Sequence, residues 1–254
     1  MNAVFITGAS SGLGAALARQ YAKDGATLGL VGRRADALAA LSASLGGNHK
    51  CYVLDVRDRA ALHAAAHDFL AHTGQRIDIV IASAGISAGT LTEHVEDFDV
   101  FKSIVDTNLL ATVATFEPFI PVMRKQRYGS LVGIGSVAGV RGLPGAGAYS
   151  ASKAALATYC ESLRLELHGD GIRVVTIAPG YIRTPMTAHN PYGMPFLTEA
   201  SVFAQRAQAA IGRGVSYTVI PWQMGVVARL MRLLPNWVYD RAARNAPRKP
   251  RKLG

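Results

Sequence analysis

The chain contains little cysteine and no long apolar run. Cys51 and Cys160 are its two cysteines, and their separation fits neither a disulfide framework nor the spacing of metal ligands. We therefore expect no bound metal and a reducing, cytoplasmic environment. A run of about eighteen apolar residues, which a membrane-spanning helix requires, is absent. The N-terminal apolar stretch 3–7 has no basic region before it and leads directly into a glycine-rich turn, which argues against a signal peptide.

Charged residues are scarce, and acidic residues most of all. Charged side chains make up 17% of the 254 residues and hydrophobic ones 50%, which favours a folded domain over disorder. Acidic residues number 17 against 27 Lys and Arg, for a formal charge of +10. More than half of this charge lies in the acid-free residues 241–254, on Arg241, Arg244, Arg248, Lys249, Arg251 and Lys252. We expect this tail to fray after Asn245.

Short apolar or β-branched runs alternate with helix-like segments along most of the chain. The runs lie at residues 3–7, 27–31, 51–54, 77–82, 130–134 and 173–178. Because they are apolar throughout, they are typical of strands covered by helices on both faces. The pattern predicts the α/β class, with a single doubly wound parallel sheet and helices on both faces. Beyond residue 180 we expect a loop-rich flap at about 181–203, a helix at 199–211, a strand at 216–220 and an apolar helix at 222–234, all within one domain, 1–254.

The first predicted strand ends in a glycine-rich turn, Thr7-Gly8-Ala9-Ser10-Ser11-Gly12-Leu13-Gly14, and a helix follows. Such a turn lets backbone N–H groups approach a pyrophosphate, to which the helix N-terminus adds partial positive charge. A glycine cluster can also serve merely to tighten a connection. Its place in the first βα unit favours a dinucleotide site. The residues expected to contact the cofactor here are Gly8, Ser10, Ser11, Gly12, Leu13 and Gly14.

Two arginines end the second predicted strand, where an acid would bind the ribose of NAD. Because a guanidinium pairs with a 2′-phosphate and an acid repels it, Arg33 and Arg34 favour NADP(H). The alternative, especially for Arg34, is a solvated side chain. Asp55, at the end of the third strand, is a candidate contact for the adenine, although an acid there is often a turn or cap residue.

Tyr149 and Lys153 are four residues apart at the start of a predicted helix, which puts the phenol and the ammonium on one face. We expect the ammonium to lower the pKa of the phenol toward the range of a working proton donor. The pair by itself is common. Ser136 at the end of the fifth strand and Pro179-Gly180 after the sixth accompany it.

Together, these motifs resemble the short-chain dehydrogenase/reductase family, in the subgroup with a Thr-Gly-x-x-x-Gly-x-Gly turn, over residues 3 to about 186. The resemblance implies a Rossmann-type fold in which Tyr149 is the general acid/base, and Lys153 holds the nicotinamide ribose and lowers the tyrosine pKa. It also implies that Ser136 hydrogen-bonds the substrate oxygen and that Asn108 positions a proton-relay water. The further cofactor contacts that it implies are Ala84, Gly85, Pro179, Gly180, Ile182 and Thr184.

One segment departs from the family pattern. Where the family usually has Asn-Asn-Ala-Gly, the chain has Ala82-Ser83-Ala84-Gly85. A serine replaces only part of the hydrogen bonding of an amide side chain. We therefore expect this strand end to be held less rigidly.

The variable segments suggest a substrate pocket and an exposed surface. The candidates for an apolar or ring-stacking pocket are Tyr181, Met186, Tyr192, Met194, Phe196 and Trp222, several of which could instead be core or subunit contacts, and His189 and Asn190 could bind hydroxyls. The apolar helix at 222–234 and the basic tail suit either a bilayer interface or packing against the body or a sister subunit, the latter being favoured. Nucleic acid is a poorer candidate, because the basic end has no interleaved aromatics.

The sequence thus predicts an NADP(H)-dependent oxidoreductase that interconverts a ketone and a secondary alcohol, acting as a carbonyl reductase. We expect a small-molecule substrate and a homo-oligomer, either a dimer or a tetramer. The alternative is a membrane-peripheral or scaffold protein whose nucleotide pocket senses redox state.

Overall fold

The computed structural model describes residues 2–46, 49–188, 190 and 193–251. Its strands are β1 (Ala3–Thr7), β2 (Thr27–Gly32), β3 (Lys50–Val53), β4 (Ile79–Ala82), β5 (Gly129–Ile134), β6 (Ile172–Pro179), β7 (Ile182–Arg183), β8 (Thr198–Glu199) and β9 (Tyr217–Ile220). Seven of them form one parallel sheet in the order β3-β2-β1-β4-β5-β6-β9, and β7 pairs with β8. The predicted doubly wound α/β fold is confirmed.

Ten α-helices lie between or after the strands in the part of the chain that the structure describes. They are α1 (Gly12–Lys23), α2 (Ala35–Leu45), α3 (Arg59–His72), α4 (Asp97–Val105), α5 (Ala111–Phe116), α6 (Ile120–Gln126), α7 (Gly147–Glu166), α8 (Ala200–Arg213), α9 (Trp222–Leu233) and α10 (Asn236–Ala243). A π-helical stretch, Asp106–Leu110, joins α4 to α5, and Val137–Gly139 and His168–Asp170 form 3₁₀ turns. No helix among the described residues is long and apolar enough to cross a membrane.

Both faces of the sheet are buried. Successive residues of β1 alternate between two cores: Ala3 and Phe5 pack with α3, α5 and α7, whereas Val4 and Ile6 pack with α1, α2 and α8. Because neighbouring residues of a strand point to opposite faces, burial on both sides requires a run of apolar residues. This explains the unbroken apolar runs in the sequence.

The order in which successive strands are added to the sheet reverses between β1 and β4, although all seven strands are parallel. The first three strands run outward from β1 on one side, and the later strands run outward from β4 on the other. In open parallel sheets, a crevice forms at such a point beyond the carboxyl ends of the strands. The segments that follow β1, β4, β5 and β6 therefore meet at one edge, and these segments contain the predicted site residues.

The C-terminal segment packs on the loop between β5 and α7. The Arg141 guanidinium donates to the carbonyl oxygens of Met231 (3.2 Å) and Leu234 (3.0 Å) and lies 4.2 Å from the ring centroid of Tyr239. The Tyr239 hydroxyl donates to the carbonyl of Gly142 (2.7 Å). Helix α9 buries Met224 and Ala228 and leaves a row of large apolar side chains exposed on α9 and α10, namely Trp222, Val226, Leu230, Leu233 and Trp237.

The expectation that the tail frays after Asn245 is wrong as far as Arg251. The Pro250 carbonyl accepts a hydrogen bond from the Gly89 amide (2.7 Å), and Arg251 forms salt bridges with Glu96 and Asp97, each at 2.9 Å. These partners lie in the loop before α4 and at the first residue of α4, more than 150 positions away in the chain. An argument from composition does not consider such distant contacts. Lys252 lies outside the described residues.

An aromatic cluster under β1 provides a test of the packing. The Phe119 ring lies 4.9 Å from that of Phe5, and both side chains are fully buried. We expect Phe119→Ala to lower the free energy of unfolding by about 3–5 kcal/mol, because it removes a buried ring and leaves a cavity. Urea denaturation measures this change. Phe196→Ala, at a half-exposed ring, should change it by no more than about 0.5 kcal/mol, and equal losses in the two variants would contradict the assigned core.

Candidate active site

A cleft of about 400 Å³ lies beyond the carboxyl ends of the central strands. It brings together every residue predicted to contact a cofactor: Gly8, Ser10, Ser11, Gly12, Leu13, Gly14, Arg33, Arg34, Asp55, Ala84, Gly85, Lys153, Pro179, Gly180, Ile182 and Thr184. Ser136 and Tyr149 line the same cleft, whereas Asn108 lies behind it and is fully buried.

Each glycine of the turn after β1 is required for a different steric reason. Gly8 has a φ of +70°, and a Cβ there would lie 2.8 Å from the Cα of Ala84. A Cβ at Gly14 would collide with the carbonyl of Gly8. Gly12, with a φ of +56°, begins α1 and faces Thr184 of the flap. The turn therefore presents bare backbone and a helix N-terminus to the cleft, which fits a pyrophosphate.

The two arginines differ in their surroundings. Arg34 donates from Nη2 to the carbonyl of Ser10 (2.9 Å) and thus folds back onto the glycine turn. Arg33 is exposed at the cleft, and no hydrogen bond joins its guanidinium to the described residues. Asp55 forms a 2.7 Å salt bridge with Arg57, which lowers the pKa of the Asp55 carboxyl, and Arg33 adds to this effect. Of the two arginines, Arg33 is therefore the one whose guanidinium is free of hydrogen bonds to the described residues.

The end of β4 is held by residues other than Ser83. The Thr7 hydroxyl accepts hydrogen bonds from the backbone amides of Ser83 (3.2 Å) and Ala84 (3.3 Å). The Ser83 hydroxyl itself is buried and has no partner among the described residues. The serine thus does not replace the amide that the family pattern has here, and the strand end depends on Thr7 and on contacts from the π-helical stretch between α4 and α5.

Asn108 supplies those contacts from the π-helical stretch. Its Oδ1 accepts from the Ile86 amide (2.9 Å), and its Nδ2 donates to the Ile86 carbonyl (3.1 Å) and to the Ser152 hydroxyl (3.0 Å). Both amide protons are used in this way, so the side chain ties the segment after β4 to α7. Its implied role toward a relay water stays a prediction.

Ser136, Tyr149 and Lys153 meet at one end of the cleft. Ser136 follows β5 and caps a 3₁₀ turn by accepting from the Ala138 amide (3.1 Å). Lys153, which is 5% exposed, donates to the Ile134 carbonyl (2.7 Å), and its Nζ lies 5.9 Å from the centroid of the Tyr149 ring. The Tyr149 phenol, the Ser136 hydroxyl and the Lys153 ammonium therefore lie close to one another in the cleft.

The pKa shifts correct one expectation. Burial raises the pKa of the Tyr149 phenol, and hydrogen bonding with Ser136 partly opposes this rise. Burial also lowers the pKa of Lys153 to about 8. The predicted net lowering of the tyrosine pKa by Lys153 is therefore not found, because desolvation of the phenol dominates and the ammonium is directed at a carbonyl.

The predicted substrate pocket does not form as a group. Met186 lines the cleft, but Trp222 is 69% exposed on α9 and Phe196 is 50% exposed in the flap. Asn190 and Met194 contact each other (3.5 Å), and Tyr181 is partly buried. His189 and Tyr192 lie outside the described residues.

Sequence reasoning missed one group beside Tyr149. Lys249 of the tail lies with Nζ 5.7 Å from the Tyr149 ring centroid and donates to the Ser87 hydroxyl (3.0 Å). The basic composition of the tail identified the cation, but nothing local in the sequence indicates that the tail returns to Tyr149.

Comparison with known proteins places this geometry in a family. A family model described as short chain dehydrogenase matches residues 2–193. An uncharacterized oxidoreductase of Myxococcus xanthus is 39% identical over 242 residues, which cover 94% of this chain and 95% of that protein. Dehydrogenase/reductase SDR family member 7B of Bos taurus is 35% identical over 270 residues, covering 98% of this chain and 82% of that protein. The crystal structure of a short-chain dehydrogenase from Streptomyces avermitilis has the same fold, with a TM-score of 0.79 at 24% identity over 97% of this chain and 100% of that one.

The buried ammonium of Lys153 makes stability depend on pH. Its pKa of about 8 lies below the 10.5 of an exposed lysine, so the unfolded chain binds the proton more tightly and stability rises as pH increases through this interval. Relative to Lys153→Met, the wild type should gain roughly 2–3 kcal/mol between pH 7 and pH 10, as measured by urea denaturation without added dinucleotide. Lys125→Met, at an exposed lysine, serves as the control. If the difference in free energy of unfolding between wild type and Lys153→Met did not change with pH, the buried environment assigned to Lys153 would be wrong.

Proposed function

The chain belongs to the short-chain dehydrogenase/reductase family of nicotinamide-dependent oxidoreductases, and on that premise we propose that it is an NADP(H)-dependent carbonyl reductase that converts a ketone into a secondary alcohol. The observation that carries this proposal is that Ser136, Tyr149 and Lys153 line the same cleft as the glycine turn and Arg33. Such a cleft fits a dinucleotide along its length and a carbonyl at its catalytic end.

We assign one role to each of these side chains. The bound nicotinamide would supply the hydride for reduction of the carbonyl carbon. The Ser136 hydroxyl would donate a hydrogen bond to the carbonyl oxygen, and the Tyr149 phenol would give that oxygen a proton. The Lys153 ammonium would hold the ribose hydroxyls and, because it is charged at neutral pH, would stabilise the phenolate that proton transfer leaves.

The Tyr149 phenol carries its proton at neutral pH, because burial raises a pKa whose ordinary value is already about 10. A protonated phenol can donate to a carbonyl oxygen, which is the proton transfer that the proposed reduction requires.

The NADP(H) preference rests on Arg33 and on the absence of an acid at the end of β2. A 2′-phosphate would find an exposed guanidinium there that no hydrogen bond to the described residues engages. Arg34, which is tied to the glycine turn, would add to the positive potential. A charge-assisted pair of this kind favours a phosphorylated ribose over a plain one.

The exposed apolar side chains support the proposal of a homo-oligomer over the membrane-peripheral alternative. Large apolar side chains are exposed on α4, the π-helical stretch and α7, namely Phe98, Leu110 and Leu165, and burial between copies would suit them, as expected for a family in which homo-oligomers are common. The apolar row on α9 and α10 motivates the membrane-peripheral alternative. Because Arg251 is already paired with Glu96 and Asp97, the tail offers less free charge to anionic lipid than that alternative requires.

Removal of the phenol hydroxyl tests the chemistry. We expect Tyr149→Phe to lower kcat by about 10²–10⁴-fold, since it removes the proton donor, while NADPH binding changes little. The measurement is NADPH oxidation with a panel of ketones, together with fluorescence titration of NADPH. Tyr128→Phe, at an exposed tyrosine, is the matched control. Wild-type turnover by Tyr149→Phe on a verified ketone would exclude the proposed mechanism.

Charge reversal at Arg33 tests the cofactor preference. Arg33→Asp should weaken NADPH binding by roughly tenfold or more and NADH binding by much less, because it replaces an attraction to the 2′-phosphate with a repulsion. Dissociation constants for both dinucleotides provide the comparison. Arg19→Asp, on the exposed face of α1, makes the same change in net charge. An unchanged ratio of the two affinities in Arg33→Asp would refute the contact.

A further inference from the structure

The C-terminal tail is anchored on both sides of Lys249, whose ammonium lies 5.7 Å from the centroid of the Tyr149 ring. On one side, the side chain of Arg248 lies against Gly145, where a Cβ would be 3.2 Å from Arg248 Cβ. On the other, the Pro250 carbonyl accepts from the Gly89 amide (2.7 Å). A Cβ at Gly89 would collide with the Lys249 carbonyl, so a glycine at this position allows the two backbones to approach.

Arg251 strengthens the anchor through a buried acid. Its Nε donates to Asp97 Oδ2 (2.9 Å), and its Nη2 donates to Asp97 Oδ1 (3.2 Å) and to Glu96 Oε1 (2.9 Å). Asp97 is 5% exposed and also accepts from the Leu91 amide (2.8 Å). A bidentate pair with a buried carboxylate holds the tail in one register on the loop between β4 and α4.

Lys249 has no such acidic partner. Its ammonium donates to the Ser87 hydroxyl (3.0 Å) and lies 5.7 Å from the Tyr149 ring centroid, and within the described ranges it forms no salt bridge. An ammonium has three donors, so two remain for a ligand. The side chain is partly buried, and burial lowers the pKa of Lys249. Desolvation of a cation without an acidic partner is costly, and an anionic ligand would offset that cost.

We propose that Lys249, together with Ser87, binds an anionic group of the carbonyl substrate, a carboxylate or a phosphate, and so makes the enzyme selective for keto acids or keto phosphates. The inference rests on the proposed function, since it assumes that the ketone is reduced at Tyr149. Lys249 comes from the far end of the chain and faces the phenol from the tail, whereas Lys153 faces it from the same helix. The anion would lie at the tail side of the substrate, within a few bonds of the carbonyl.

Binding of simple anions tests this proposal without turnover. With the full-length protein saturated with NADP⁺, butanoate and inorganic phosphate are titrated separately by NMR, so that carboxylate and phosphate selectivity are distinguished. Lys249→Met should weaken binding of at least one anion by about tenfold or more, as expected for loss of a charge-assisted hydrogen bond, and Lys249→Arg should largely retain it. Arg244→Met makes the same charge change on an exposed arginine and should have no effect. Equal affinity in wild type and Lys249→Met, or no saturable binding by wild type, would overturn the proposal.

Kinetics then separate this inference from the proposed function. Acetoacetate, 4-oxopentanoate and 5-oxohexanoate are compared with their methyl esters, and wild type should prefer an acid by about tenfold in kcat/KM, a preference that Lys249→Met removes. If Lys249 acted only on the phenol, Lys249→Met would lower kcat/KM for acid and ester equally, which would overturn the inference and leave the proposed function intact. If Tyr149→Phe reduced both as fast as wild type, the proposed function would fail, while anion binding at Lys249 would still be measured by NMR.

Discussion

The close approach of the glycine turn to the end of β4 is the constraint on which the site depends. Gly8 lies so near Ala84 that a side chain would not fit between them, and the Thr7 hydroxyl binds the two amides that follow β4. This contact joins the two halves of the sheet at β1 and β4. The crevice opens where the strand order reverses. Gly8 and Ala84, which make this contact, therefore also line the cleft.

The catalytic end is stabilised by hydrogen bonds across long stretches of chain. Asn108 ties Ile86 to Ser152, and Lys153 is held by the Ile134 carbonyl. Desolvation accompanies this order, since it raises the pKa of the Tyr149 phenol and lowers that of Lys153. Burial therefore makes the phenol hold its proton more tightly, which the sequence spacing between Tyr149 and Lys153 does not indicate.

Local patterns predicted the sheet closely and the end of the chain poorly. The runs that became β1, β2, β5 and β6 match their predicted bounds to within a residue, because strands buried on both faces require unbroken apolar sequence. The substrate pocket was predicted from residue type alone, and Trp222 and Phe196 instead face solvent. The tail was expected to fray because its composition is polar, yet Arg251 finds a buried partner in Asp97.

The sequence by itself determined the α/β class and the place of the glycine turn, because these depend on spacing within a few residues or on a periodic apolar pattern. The resemblance of its motifs to a family also predicted Ser136, Tyr149 and Lys153 as the catalytic residues. Tertiary structure alone decided the protonation preferences of Tyr149 and Lys153, the structural work of Asn108 and the position of Lys249 beside the phenol. Those properties depend on burial and on contacts between distant segments, and neither is encoded in the neighbours of a residue along the chain.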